Sequence, residues 1–283
     1  MRVAIVTDST ANLSAIRARE LGVTVVPLQI VFGDRAYTDG VELEVQEFYE
    51  RLTVSDRLPS TSQPSVGMFA EVFSRLLESH DAILAILLSG KLSGTVASAQ
   101  AARDLISRQR DVHVYDSQLV EYALGLQVEE AVRMVNQGWS VHRVTEALAG
   151  VRGRTRCFIV LDSLENLRRG GRIGGAAAMI GSLLQVKPII TLRDGVVDVH
   201  EKVRTARRAL EGLLTQLQRD VAQFGVSEVT IMHSSSPEAV DAFRAQVLAA
   251  APGVRTREVW LSPIVGVHTG LGGLGLIYLC DEA

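Results

Sequence analysis

Long apolar runs are missing from this chain. No stretch approaches the roughly 20 apolar residues that a membrane-spanning helix requires, and near the N-terminus Asp8 cuts the run Val3-Ala4-Ile5-Val6 short of a secretory signal. A cytoplasmic location is the expectation. Cysteine is scarce as well. Cys157 and Cys280 stand far apart, which offers neither the spacing of a zinc site nor that of a redox pair, so they read as small buried hydrophobes. Neither sign of charge dominates: 29 Lys and Arg against 32 Asp and Glu give a formal net charge of -3, and no electrostatic footprint for nucleic acid results. Aromatic residues make up only 5%, so the interior must be built mainly from Leu, Ile, Val and Ala.

What is present suffices for two modest cores, since 47% of the 283 residues are hydrophobic. In the first half, β-branched runs at Val3 to Thr7, Val23 to Val31, Ala82 to Leu88 and Val112 to Tyr115 alternate with helical patterns. The clearest of these patterns places Phe69, Val72, Phe73, Leu76 and Leu77 on one face. Helices are also expected near Leu13 to Glu20, Thr95 to Arg108 and Leu119 to Asn136. Such alternation predicts a mainly parallel sheet flanked by helices. Gly and Arg replace the apolar pattern at Gly150-Val151-Arg152-Gly153-Arg154, which sets a boundary between domains 1–153 and 154–283. In the second, a strand is expected at Cys157 to Leu161, and Asp194-Gly195 joins two strand-like runs as the turn of an antiparallel hairpin would. Further helices, Arg204 to Asp220 and Pro237 to Ala250, alternate with strands Glu228 to Met232 and Arg255 to Trp260. The fold class is therefore α/β with two α/β domains, the second carrying a mixed sheet.

Hydroxyl-rich stretches follow apolar runs: Asp8-Ser9-Thr10, Thr61-Ser62-Gln63-Pro64-Ser65 and Ser89-Gly90-Lys91-Leu92-Ser93-Gly94-Thr95. Hydroxyls and backbone N–H groups at a helix start donate to an oxyanion without opposing it with a full charge. Helix capping by itself is the simpler reading of the first two stretches and as good a reading of the third. Pro64 suits a first helical turn, and Gly94 would let a ligand approach the backbone. Asp-Ser also ends the apolar runs at Asp116-Ser117 and Asp162-Ser163, at the strand ends where open α/β sheets bind ligands. Ser89 to Thr95 is neither a phosphate loop nor a nucleophile elbow, because the glycine spacing is wrong for both.

Two further segments are Gly-rich. Gly270, Gly272 and Gly275 match a dinucleotide fingerprint formally, but Ala283 leaves no room for the unit that should follow; close backbone packing around His268 is the alternative. Arg168-Arg169-Gly170-Gly171-Arg172 and Glu201-Lys202-Val203-Arg204-Thr205 are basic, as a solvated face or a surface for an acidic or phosphate-bearing partner would be.

Taken in order, these motifs resemble the DegV family of fatty-acid-binding proteins, the carrier subunit of bacterial fatty acid kinase. Thr7 to Thr10, Thr61 to Ser65, Ser89 to Thr95, Asn166 to Ile173, Glu201 to Thr205 and His268-Thr269-Gly270 carry the resemblance. It implies a bound long-chain fatty acid such as palmitate, with the acyl chain buried. Thr61 and Ser93 would bind its carboxylate, His268 would complete the site, and Ser62 and Gly94 would be neighbours. No cofactor, metal or catalytic residue is then expected in the chain itself. A separate ATP-dependent kinase would phosphorylate the bound acid for lipid metabolism, with Arg172 and Arg204 helping to dock it. The alternative is a serine-dependent acyl hydrolase with Ser93 as nucleophile and His268 as base. Two departures from the family pattern, Glu121-Tyr122-Ala123 and Leu271, bear on the shape of the acyl slot.

Overall fold

The computed structural model describes residues 2–179 and 187–281. The chain divides into two compact units, one formed by residues 1–44 and 61–153, the other by 45–60 and 154–283.

In the first unit, β1 (Val3–Asp8) leads through α1 (Ala15–Leu21) into β2 (Val23–Val26). The run expected to continue to Val31 breaks there. Pro27 has no N–H to offer a ladder, and β3 (Gln29–Phe32) starts a separate sheet by pairing antiparallel with β4 (Arg35–Thr38). After α2 (Val45–Val54), β5 (Ser60–Ser62) adds to the other edge of β3. Then follow α3 (Val66–Leu77), β6 (Ala82–Leu87), α4 (Thr95–Leu105), β7 (Val112–Asp116), α5 (Tyr122–Asn136) and α6 (Val141–Arg154).

The main sheet has the order β2-β1-β6-β7, and every pairing in it is parallel. Ala4 and Val6 of β1 and Ile83, Ala85 and Leu87 of β6 share one face, which packs on Phe69 and Phe73 of α3 and on Ala99 and Ala102 of α4. All six residues of β6 are buried, as expected of a central parallel strand covered on both faces. The stretch Gly150 to Arg154 is the end of α6 rather than a linker. Val141, Val144, Leu148 and Val151 continue one buried helical stripe straight through it.

The second unit holds β8 (Thr155–Val160), α7 (Glu165–Arg169), β9 (Lys187–Arg193), β10 (Val196–Val203), α8 (Ala206–Phe224) and β11 (Glu228–His233). α9 (Pro237–Ala250), β12 (Arg255–Trp260), α10 (Pro263–Thr269) and β13 (Leu274–Leu279) complete it. The sheet is mixed, in the order β10-β9-β8-β13-β11-β12, with only β11 and β12 parallel. Asp194 and Gly195 both have positive φ, 49° and 79°, the backbone that a two-residue hairpin turn of matching twist demands. One core joins Leu213 and Leu217 of α8 and Phe243 of α9 to Phe158, Ile231 and Leu276 of the sheet.

A cut at 153/154 alone would leave residues 45–60 in the first unit. They belong with the second, because Phe48 and Tyr49 of α2 are buried against α10. A Cβ built on Gly266 would stand 2.6 Å from the Phe48 ring and 2.7 Å from the Tyr49 hydroxyl, and that hydroxyl donates to the Leu261 carbonyl at 3.1 Å. Burying two such rings is worth roughly 1.5–3 kcal/mol each. Among the described residues, no helix is long and apolar enough to cross a membrane, and no group of three or more His, Cys, Asp or Glu could hold a metal ion.

Candidate ligand-binding site

β1 connects to β2 on one side and β6 to β7 on the other, so the strand order reverses between β1 and β6. Ligands of open α/β sheets bind in the crevice at the carboxyl ends of such a pair. Here those ends carry Asp8-Ser9-Thr10 and the loop Ser89 to Thr95.

The second loop is held from both flanks. Asp8 Oδ2 accepts the Leu88 N–H at 2.7 Å, while Asp116 Oδ1, at the end of β7, accepts the N–H groups of Gly90 at 3.1 Å and Gln118 at 2.9 Å. The Asp residues of two Asp-Ser pairs therefore serve as fasteners for the β6 loop, beyond capping. Within the loop, Ser89 accepts the N–H of Leu92 and Ser93 on its carbonyl, at 2.9 and 3.1 Å. This turn delivers Ser93 and Gly94 to the start of α4. Gly94 occupies the cap position without a side-chain cap, and the Ser93 hydroxyl meets the Thr95 hydroxyl at 2.9 Å.

Thr61 lies in β5, half-buried between exposed Ser60 and Ser62. Ser65, not Pro64, starts the next helix, accepting the Met68 N–H at 3.2 Å, so Pro64 stands just before the cap. Gln63 crosses to the other loop: a Cβ on Gly94 would fall 2.5 Å from its Nε2 and 2.8 Å from its Oε1. Any side chain at Gly94 would force that amide aside. The loops bearing Thr61 and Ser93 are thereby neighbours within one unit.

Electrostatically the region is unusual. Burial pushes the Asp8 carboxyl up to about 6, against the opposing effect of its hydrogen bonds from Thr10 and Leu88. Asp39, just after β4, is pushed up to about 7, first by burial and further by the charge of Asp8. Asp39 had no distinguishing signal in the sequence, where Asp39-Gly40 reads as an ordinary turn.

In the second unit, His268 closes the last turn of α10. Burial, and secondarily the Arg172 guanidinium, hold its imidazole down at about 4, so it is neutral near pH 7. A Cβ on Gly170 would overlap its Nδ1, and one on Gly270 would stand 2.7 Å from the Asn166 amide. Gly170 and Gly270 thus serve close packing of α7 and its following turn on α10, while Gly272 and Gly275 pack against Asp162 and Phe158. Arg172 is exposed and donates to the Gly170 carbonyl; it belongs to the surroundings of His268. Arg204 is exposed between β10 and α8, on a groove of about 490 Å³ that also involves Lys202, Arg208 and Glu211. Of the two departures, Tyr122 is buried and donates to Glu129 at 3.1 Å, whereas Leu271 is largely exposed. Glu121, within the first departure, takes a positive φ of 60° that shortens α5 at its start and accepts the Asn12 amide at 2.7 Å.

A family model for DegV proteins, whose members it describes as uncharacterised, matches residues 2–281. The chain belongs to the DegV family. A DegV domain-containing protein of Halalkalibacterium halodurans is 36% identical over 282 residues, 99% of each chain. Among solved DegV structures, a Thermus thermophilus family protein studied for fatty acid binding is 35% identical, with a TM-score of 0.90 over 99% of this chain and 100% of that one. DegV of Bacillus subtilis, a fatty acid binding protein, is 31% identical with the same TM-score and coverage. A stearic acid-binding protein of Eubacterium ventriosum is 27% identical, at 0.90 over 99% of this chain and 98% of its own.

Proposed function

We propose that this chain binds a long-chain fatty acid, with the carboxylate held by the hydroxyls of Thr61 and Ser93 and the acyl chain buried. The observation that carries this reading is the contact of Gln63 with Gly94, which sets the two hydroxyl loops side by side at the carboxyl edge between β1 and β6. Ser62 and Gly94 are neighbours of the head group in this reading. The part assigned to His268 comes from the family resemblance: a neutral imidazole can donate one hydrogen bond to a carboxylate. The fatty acid binding of the Thermus thermophilus and Bacillus subtilis relatives supports the ligand class.

The energetics divide the work. Burying about 14 methylenes at roughly 0.8 kcal/mol each supplies on the order of 11 kcal/mol before ordering costs, while a charge-assisted hydrogen bond adds about 1.5–3. Affinity comes from the chain and orientation from the head group. Neutral donors suit a carrier, because a salt-bridged carboxylate would be harder to hand on. The reading extends to a separate ATP-dependent kinase that would phosphorylate the bound acid, approached through the exposed Arg172 and Arg204.

Denaturing the purified protein and analysing the extract by mass spectrometry should release a fatty acid in stoichiometric amount. Thermal shift with added palmitate or stearate should stabilise delipidated protein. No lipid in the extract together with no stabilisation by either acid would sink the proposal. For the kinase step, Arg204→Glu should lower acyl phosphate formation and leave palmitate affinity unchanged.

A further inference from the structure

At the switch point, three residues close a ring of hydrogen bonds. The Ser9 hydroxyl accepts the Leu28 N–H at 3.1 Å, the Leu28 carbonyl accepts the Asp39 N–H at 3.0 Å, and the Ser9 hydroxyl donates to the Asp39 carboxyl. This ring ties the β3–β4 hairpin to the turn that ends β1. β3 is the central strand of the small sheet, and the strand on its other edge, β5, carries Thr61.

The two buried carboxyls here are not equivalent. Asp8 accepts from the Thr10 N–H at 3.0 Å, the Thr10 hydroxyl at 2.6 Å and the Leu88 N–H at 2.7 Å. Three donors favour its ionised form. Asp39, equally out of solvent at 5% exposure, has the Ser9 hydroxyl as its side-chain donor. When only one proton is available to the pair, Asp39 is where it goes. Among the described residues, the charged side chain whose field reaches Asp39 is Asp8. On its own hairpin, Arg35 is exposed, and so is Glu42, which is held by the Thr38 N–H and hydroxyl. No cation among these offsets a further negative charge.

We propose that Asp39 is a positioning residue that takes up a proton when a fatty acid carboxylate binds, so that affinity for the head group falls as pH rises through neutrality. This rests on the carboxylate site proposed above. A carboxylate arriving beside the β1 turn adds a third negative charge to the Asp8–Asp39 pair, and the protonated form of Asp39 removes one. Protonation keeps the ring intact, because a carboxylic acid still accepts from Ser9 on its carbonyl oxygen. Thr61 therefore stays in place while the charge disappears.

The test is palmitate binding by calorimetry at about pH 6, 7 and 8, in buffers of different ionisation heat, with hexadecanol as the uncharged chain control. For the wild type, palmitate affinity should weaken about threefold or more between pH 6 and 8 with net proton uptake, and hexadecanol should show neither. Asp39→Asn, which keeps an acceptor for Ser9, should bind palmitate with a much shallower profile, flat between pH 7 and 8. A flat wild-type profile, or an unchanged slope in Asp39→Asn, overturns the proton coupling alone. Failure of palmitate to bind at any pH overturns this inference and the fatty acid site together. Should Asp39→Asn not fold, Ser9→Ala removes the Ser9 donor to the charged form and must move the fall in affinity to higher pH; an unmoved profile counts against the inference.

Discussion

Gly94→Ala tests the close approach of the two hydroxyl loops that the carboxylate site requires. The new methyl would lie 2.5 Å from Gln63 Nε2 and 2.8 Å from Oε1 and Cδ, against about 3.4 Å or more for an ordinary contact. One side must yield by about 1 Å, and the flexible amide yields more readily than the start of α4. The hydrogen bond from the Gln63 amide to Ser98, at 3.5 Å, is too long to resist. The backbone at Gly94 is unstrained for alanine, with φ of -74°, and losing a glycine from the unfolded chain gains about 0.4–1 kcal/mol. Overall stability should therefore change by less than about 1 kcal/mol in urea denaturation. Palmitate binding should suffer far more, by about tenfold, because Gln63 is displaced together with the loop that positions Thr61. Gln63→Ala alone should bind within about threefold of wild type, and added to Gly94→Ala it should recover most of the loss. Wild-type affinity in Gly94→Ala, or a loss that Gln63→Ala does not recover, would refute the argument that these loops meet through this amide.

Two further outcomes follow from the buried titratable groups. The Asp39 carboxyl is raised from 3.8 to about 7 in the folded chain, so the folded state holds the proton more tightly than the unfolded state does. Its contribution is full below about pH 4 and is lost as pH rises to about 7; over that window the stability of wild type relative to Asp39→Asn should fall by up to the order of 4 kcal/mol, and parallel urea-denaturation profiles would contradict this. At His268, burial is the larger cause of the depressed imidazole and Arg172 the smaller. Arg172→Ala should raise its midpoint in an NMR titration without restoring the ordinary value of 6.5, and an unmoved midpoint would show that the guanidinium charge is not felt there.

Much of this fold is legible in the residues because its signals are local. β6 is a continuous apolar run bounded by Asp81 and Ser89, α3 shows a clean helical stripe, and Asp194-Gly195 requires a backbone that few other pairs adopt. Misreadings arise where a residue's meaning depends on distant partners. The two units do divide at 153/154, but no break in structure marks the place, since Val151 completes the buried stripe of α6. α2 is assigned to the second unit by contacts such as Tyr49 to Leu261, which are 212 positions apart. The break at Pro27 was visible in principle, since a proline inside a strand pattern signals an end. For the site, Thr61, Ser93 and His268 come from the family resemblance that the order of motifs carries, not from any single motif. Asp39 gives no such sign, because burial and the neighbouring Asp8, not its residue type or spacing, make it unusual.

The most direct test of the carboxylate site is palmitate affinity in Thr61→Val, Ser93→Ala and the double variant, each compared with hexadecanol. Each hydroxyl should contribute about 1.5–3 kcal/mol to a charged ligand, a loss of about 10- to 150-fold per substitution, with hexadecanol binding much less affected. Undiminished palmitate affinity in the double variant would place the carboxylate elsewhere and contradict the account.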